Sequence, residues 1–218
     1  MKNKKLSKGE LAVEFSARLK KIYPTAECAL EYEGDPWRLL VMARLSAQCT
    51  DKRVNEVSRK LFLEIPTPQD AVNISQERLE ELIRSCGLFR TKAQSIRESA
   101  EKIVRDFGGE VPKTEEELLS LSGVGRKIAN LILGDLYGKG GVVCDTHFIR
   151  ICGRVGFYSE DMKTPEKAEK IMNPLIEQSE RADFCHRVVL FGREYCQARS
   201  YTCASCPMLD ICRHGQNK

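Results

Sequence analysis

The sequence predicts an all-α protein, and three features carry that expectation. Apolar residues recur at three- and four-residue spacing through nearly every segment, the pattern of a helix with one buried face. Proline, glycine and capping Ser, Thr or Asp residues punctuate those segments where helices begin and end. Only one short run, Gly141-Val-Val-Cys144, reads as strand-like.

In chain order, Lys8 to Tyr23 places Leu11, Phe15, Leu19 and Ile22 on one side, and Pro24 ends the helix. Asp35-Pro36 opens the next one with proline in its favoured first turn, and Trp37, Leu40, Val41 and Leu45 run along it. Val54 to Leu63 follows, closed by Ile65-Pro-Thr-Pro68. Helices are expected over 69–73, 75–86, 92–107 and 114–121, the last opened by the capping box Thr114-Glu-Glu-Glu117. Gly123 and Gly125 break the pattern before 126–137, where Ile128, Leu131, Ile132 and Leu136 share a face. After the strand-like run, helices are expected from Thr146 to about Val155, from Pro165 to Glu180 and from Ala182 to Tyr195. There is no internal repeat, no low-complexity run and no clean linker.

The 218 residues suffice for one large domain or two small ones with a real core. Lys and Arg number 35 against 31 Asp and Glu, a net charge of +4 that suits nucleic acid without demanding it. The start, Met1-Lys-Asn-Lys-Lys5, is basic, but no apolar signal core follows. No stretch approaches the ~20 apolar residues of a membrane span. A cytosolic location is expected. Ten cysteines, scattered as far as Cys185 and clustered only beyond it, do not form a secreted disulfide framework.

The stretch Leu121-Ser-Gly-Val-Gly-Arg-Lys-Ile-Ala-Asn130 concentrates the chemistry. Glycines supply positive φ and close backbone approach. The bare amides of Gly123, Gly125 and Arg126 make an anion-binding helix end, suited to a nucleic acid phosphate contacted without regard to sequence. Lys127 stands in the first turn of the second helix. The positive helix end and partial burial both push it toward the neutral, nucleophilic amine. Asp145 is the natural N-cap of the helix that follows. A capping carboxylate is held ionised and fixed, which also suits a group beside a cationic transition state.

Cys196, Cys203, Cys206 and Cys212 form the array C-x6-C-x2-C-x5-C, a metal site in a chain without secretory signals. On the residues alone, tetrathiolate zinc and an iron-sulfur cluster stand equally open. Cys28, Cys49, Cys86, Cys144, Cys152 and Cys185 read as buried small hydrophobes. Gln197 to Thr202 would be a projecting loop, with Arg199, and Arg193 nearby, as candidate phosphate contacts.

Together, LSGVGRKIAN, the aspartate of Cys144-Asp-Thr-His147 and the cysteine array resemble the endonuclease III family of DNA glycosylases with AP-lyase activity. Ala43-Arg-Leu-Ser-Ala-Gln-Cys-Thr-Asp51 and Gly87-Leu-Phe-Arg-Thr-Lys-Ala93 extend that resemblance over nearly the whole chain. Ser122 departs from it, standing where the family usually has proline, and is expected to loosen the hairpin slightly. The resemblance implies two helical lobes, a central one over 29–139 and a second joining 1–28 to 140–218, with the DNA cleft between them and Lys127 facing Asp145 across it. It selects a [4Fe-4S] cluster for the four cysteines. It implies that Gln48 and Leu88 enter the duplex when a nucleotide is flipped out, with Ser46, Thr50 and Asp51 as backbone contacts or local caps. The implied reaction is attack of Lys127 on C1′, departure of the base, a Schiff base, and β-elimination on the 3′ side, assisted by Asp145 and needing no Mg²⁺. His147 is expected to be a structural hydrogen-bonder, while His186 and His214 sit in no motif.

The expected partner is duplex DNA carrying damaged pyrimidines or abasic sites, met by a monomer away from any membrane. Three rivals remain at this level. An adenine glycosylase of the same superfamily would lack the lysine. A non-catalytic hairpin module would leave Asp145 unexplained. A small iron-sulfur electron carrier would leave the first 190 or so residues idle.

Overall fold

The structure, a computed structural model, describes residues 6–217; the basic start Met1 to Lys5 lies outside them. The chain divides into two compact units, Cys28–Tyr137 and the segments on either side, up to Glu27 and from Gly138. Among the described residues there is no strand, only an isolated bridge between Cys196 and Tyr201.

The outer unit begins with α1 (Lys8–Ile22), capped by a reciprocal box between Ser7 and Glu10. The Cys28–Tyr137 unit then contains α2 (Pro36–Leu45), α3 (Asp51–Glu64), α4 (Pro68–Asn73), α5 (Gln76–Ile83), α6 (Phe89–Phe107), α7 (Glu115–Leu119) and α8 (Arg126–Tyr137). Side-chain oxygens of Asp35, Thr50, Thr67, Ser75 and Thr114 accept from backbone amides at the starts of α2, α3, α4, α5 and α7. Such caps answer the orphan donors of a helix end. The expected box at Thr114 is only half made. Thr114 accepts from the Glu117 amide, but its hydroxyl donates to the Glu117 carboxylate at 2.7 Å, so that carboxylate does not reach back to the cap's own amide. Leu39, Leu40, Leu45, Leu61, Ile65, Leu79, Ile83, Ile96, Ile103, Leu118 and Ile132 fill this unit's core. Trp37 is buried among them and donates its indole N–H to the Ile65 carbonyl at 3.1 Å.

The outer unit resumes with α9 (Thr146–Val155), α10 (Pro165–Met172), α11 (Arg181–Glu194) and α12 (Arg213–Gln216). Phe15 of α1 is fully buried and meets Phe157, Phe184 and Phe191 with ring centroids 5.9–6.3 Å apart. Offset and edge-on aromatic packing of this kind is favourable beyond the area it buries. Gly192 lets α11 close on α9. A Cβ there would lie 2.6 Å from Ile151 Cδ1 and 2.7 Å from His147 Nδ1.

Three expectations are corrected. Gly141 to Cys144 has no regular structure and forms no strand; the Val142 amide donates to Asn173 Oδ1 at 2.9 Å and the Val143 amide to Cys185 Sγ at 3.2 Å. The helix expected over 165–180 stops at Met172, because Pro174 disfavours helix at the residue before it and has no N–H; two short 3-10 turns follow. Cys28 and Cys49 are half-buried, whereas Cys86, Cys144, Cys152 and Cys185 are buried as expected.

Candidate active site and nucleic-acid interface

In the Cys28–Tyr137 unit, α7, the hairpin and α8 put Lys127 in the first turn of α8. Gly123 has φ +72°, a conformation that disfavours a side chain, and a Cβ there would run into Arg44 Nε. Gly125 differs from the expectation. Its φ is not positive and a Cβ would meet nothing within 4 Å. The space over Gly125 is open, which leaves the backbone accessible from outside. Among the described residues the amides of Gly123, Gly125 and Lys127 donate to no backbone carbonyl, while the Gly125 carbonyl receives both Ile128 and Ala129 at 3.0 Å. This is a helix end with bare donors, the anion-attracting arrangement.

The hairpin is anchored from behind by α6. Ser99 Oγ donates to the Ser122 carbonyl at 2.8 Å, and the Ser122 hydroxyl donates to Glu98 at 2.5 Å. The Ser122 hydroxyl thus supplies a side-chain tether that a proline lacks. Arg126 turns its guanidinium toward Glu115 at 3.1 Å. Lys127 is exposed. The expected contribution of burial to its activation is therefore withdrawn, leaving its seat at the positive end of α8.

Gln48 and Leu88 are both exposed, and both have positive φ, +54° and +47°. Positive φ in a non-glycine residue costs energy and concentrates at functional sites. Leu88, 60% exposed, is not the core leucine that Gly87 alone would suggest. Ser46 donates its hydroxyl to the Ala43 carbonyl, and Thr50 caps α3. Two residues beyond the sequence's candidates lie beside this machinery. Arg44 donates to Ser95 Oγ at 2.7 Å from under the hairpin, and burial holds its pKa below the ordinary arginine range. Lys92 of α6 is fully buried. Nothing in the local sequence separates either from an ordinary surface cation.

In the outer unit, Asp145 caps α9, with Oδ1 accepting from the Phe148 amide at 2.7 Å. That is its one side-chain hydrogen bond among the described residues, and it leaves the second oxygen available. His147 Nδ1 lies 3.1 Å from Arg150 Nη2, in line with a structural role.

Cys196, Cys203, Cys206 and Cys212 line one cavity, walled by Ile151, Val155, Phe191 and Met208. Two arginines of α9 hold the loop that carries them. Arg150 Nη2 donates to the Cys196 carbonyl at 2.9 Å. Arg154 Nη1 donates to Cys196 Sγ at 3.2 Å and to the Gln197 carbonyl at 2.9 Å, with its guanidinium 4.0 Å from the Tyr201 ring centroid. Burial pushes the Cys206 and Cys212 thiols above the usual range. Four cysteines around one cavity suit a metal group that takes thiolates. Arg199 is exposed on the loop between the first two cysteines, and Arg193 is exposed near the end of α11.

An exposed lysine behind a glycine hairpin with bare amides leads to the class of helix-hairpin-helix base excision proteins. The family model described as "HhH-GPD superfamily base excision DNA repair protein" matches residues 41–178. An endonuclease III from Synechocystis sp. is 41% identical over 98% of this chain and 96% of its own. A solved non-covalent endonuclease III–DNA complex superposes with a TM-score of 0.90 at 38% identity, covering 97% of this chain and 98% of the other. A trapped covalent endonuclease III–DNA intermediate gives 0.89 at 38% identity, with the same coverage. The chain belongs to the endonuclease III family. It is a bifunctional DNA glycosylase and AP lyase, and the rival readings are not favoured. Among the described residues no helix is long and apolar enough to cross a membrane.

Proposed function

We propose that this enzyme removes oxidised pyrimidines from duplex DNA through a Schiff base on Lys127 and then cuts the strand 3′ to the abasic site by β-elimination. The observation that carries the reading is the exposed Lys127 in the first turn behind the Gly123–Gly125 hairpin, in a chain 38% identical to a protein trapped as a covalent DNA intermediate. The bare amides of Gly123 and Gly125 hold a backbone phosphate, so the lysine meets the sugar at a fixed distance from it. The neutral amine attacks C1′, and the glycosidic bond breaks with its electron pair leaving on the base. The C1′–O4′ bond then opens, the ring oxygen taking a proton, and the protonated imine so formed acidifies the C2′ proton, whose loss expels the 3′ phosphate. Asp145 takes a proton from the lysine and stabilises positive charge developing on the sugar. The reading has the enzyme act as a monomer in the bacterial cytoplasm, where its DNA substrate lies. Incubation with a thymine-glycol duplex, resolving free base, abasic site and cut strand, tests it; intact DNA, or free base with no cut strand, would overturn it.

In this reading Cys196, Cys203, Cys206 and Cys212 hold a [4Fe-4S] cluster. Bound there, the cluster ties together a loop too short to bury a core of its own. Purified protein is expected to be brown, with broad visible absorption and four irons per chain. Colourless protein carrying one zinc per chain would replace the cluster with a tetrathiolate ion.

Gln48 and Leu88 enter the duplex, while Arg199 touches phosphate. Losing a phosphate contact weakens binding to all DNA alike and lowers the salt slope by about one. Losing a wedge raises the cost of the flipped state, a few kcal/mol to begin with. Leu88→Ala is therefore expected to slow excision of a paired lesion far more than cleavage at a preformed abasic site. Arg199→Ala should slow both similarly, with a loss that shrinks as salt is lowered. Single-turnover rates on the two substrates across a salt series decide it. Equal behaviour of the two variants at every salt would remove the division of labour.

A further inference from the structure

Lys92 is the one lysine among the fully buried side chains of the described residues. It has no role in the reaction above. A buried ammonium is costly unless its donors are met. Here Nζ donates to three carbonyls, those of Leu45 at 2.8 Å, Ala47 at 2.8 Å and Cys86 at 2.6 Å. No carboxylate takes part, and burial lowers the pKa of the amine. Three donors meet three acceptors, so the group is saturated and its geometry fixed.

The acceptors are what give the contact its meaning. Leu45 ends α2, and Ala47 directly precedes Gln48. Cys86 closes the 3-10 turn that leads through Gly87 to Leu88. Gln48 and Leu88, two of the three exposed non-glycine residues with positive φ, therefore stand one and two positions from carbonyls held by the same ammonium. A strained conformation persists only where its surroundings over-determine it. The Cys49 and Cys86 thiols also meet between the two loops, but among the described residues it is Lys92 that bonds to the backbone carbonyls of both.

We propose that Lys92 is a positioning residue that joins the two loops and sets Gln48 and Leu88 relative to each other for entry into DNA. The proposal rests on the reading of those two residues as wedges. Without the ammonium, three carbonyls lose their donor and each loop is free to relax its φ. The wedges would then enter the duplex out of register, and the cost would fall on nucleotide flipping rather than on the lysine chemistry.

The test is Lys92→Met, which keeps an unbranched apolar stem and removes the donors. Single-turnover excision from a paired thymine-glycol duplex is expected to fall by about tenfold or more, the scale of a partial loss of flipping energy. Cleavage of a preformed abasic site should change far less. Combined with Leu88→Ala, the two losses should not add, because a mispositioned wedge has little left to lose. Equal slowing of both substrates, or full additivity, would overturn the proposal and leave Lys92 as a packing residue. If Lys92→Met does not accumulate as folded protein, Lys92→Arg, which keeps a cation but not the three-fold geometry, is put through the same pair of substrates, and the same two outcomes decide. Leu88→Ala alone separates the two levels. If it slows both substrates alike, the wedge reading fails; if it is selective and the Lys92 variants are not, only the present inference fails.

Discussion

Lys127→Gln is expected to yield no borohydride-trapped complex with a damaged duplex. The residue is exposed in the first turn of α8, and its side chain makes no hydrogen bond or ion pair among the described residues. Glutamine is similar in length and helix propensity, so α8 and the hairpin should be unchanged. What disappears is the amine. Without it no imine forms, borohydride has nothing to reduce, and the strand is not cut. Binding should survive, because the hairpin offers backbone amides that the substitution does not touch. Affinity for duplex should stay within about tenfold, the scale of one lost phosphate-range charge. Gel analysis of the trapped complex and a titration of labelled duplex measure the two quantities separately. A trapped complex of normal yield would transfer the nucleophile's role to another amine.

How the lysine is activated has narrowed. Burial is not available to an exposed side chain, so the remaining influences inside its own unit are the helix end and whatever approaches from outside. The hairpin makes that approach possible. Gly123 is closed from behind by Arg44 and Ser95, while the space over Gly125 is open. The two glycines of one short motif thus do different work, which their spacing alone does not reveal. Gly123 permits the turn and the packing beneath it. Gly125 leaves bare backbone on the open side.

Much of the fold was legible because strong periodicity coincides with local caps. The bounds of α8 are those the apolar spacing predicts, and α9 begins where Asp145 caps it. Failures arose where a distant partner decided the local structure. Val142 and Val143 look like a strand, yet their amides go to Asn173 and Cys185, residues thirty or more positions away. Pro174 is visible in the sequence, and its missing N–H and the restriction it puts on Asn173 outweigh the periodicity of 165–180 and end α10 at Met172. Lys92 is the clearest limit. Its flanks read as an ordinary amphipathic helix, and only the convergence of Leu45, Ala47 and Cys86 makes a buried cation there possible. The strained φ of Gln48 and Leu88 was equally hidden, since neither residue type announces it.

The largest effect outside Lys127 is expected at Asp145. Its hydrogen bonding leaves room for both capping and catalysis. Oδ1 accepts from the Phe148 amide at 2.7 Å, while the second oxygen makes no hydrogen bond among the described residues. An asparagine caps about as well as an aspartate, so Asp145→Asn should melt close to the wild type. It cannot take a proton from the lysine or balance charge on the sugar. Base excision should therefore fall by roughly 10²-fold or more, the range of a positioned acid-base or electrostatic group. Asp145→Ala should lose the same activity and, in addition, about 1 kcal/mol of stability with the cap. The pair of variants separates the roles because only one of them keeps the cap. Single-turnover excision and thermal melting are the two measurements. If Asp145→Asn excises at the wild-type rate while Asp145→Ala loses both rate and stability, the carboxylate does no more than hold the start of α9, and the proton acceptor for Lys127 must be sought elsewhere.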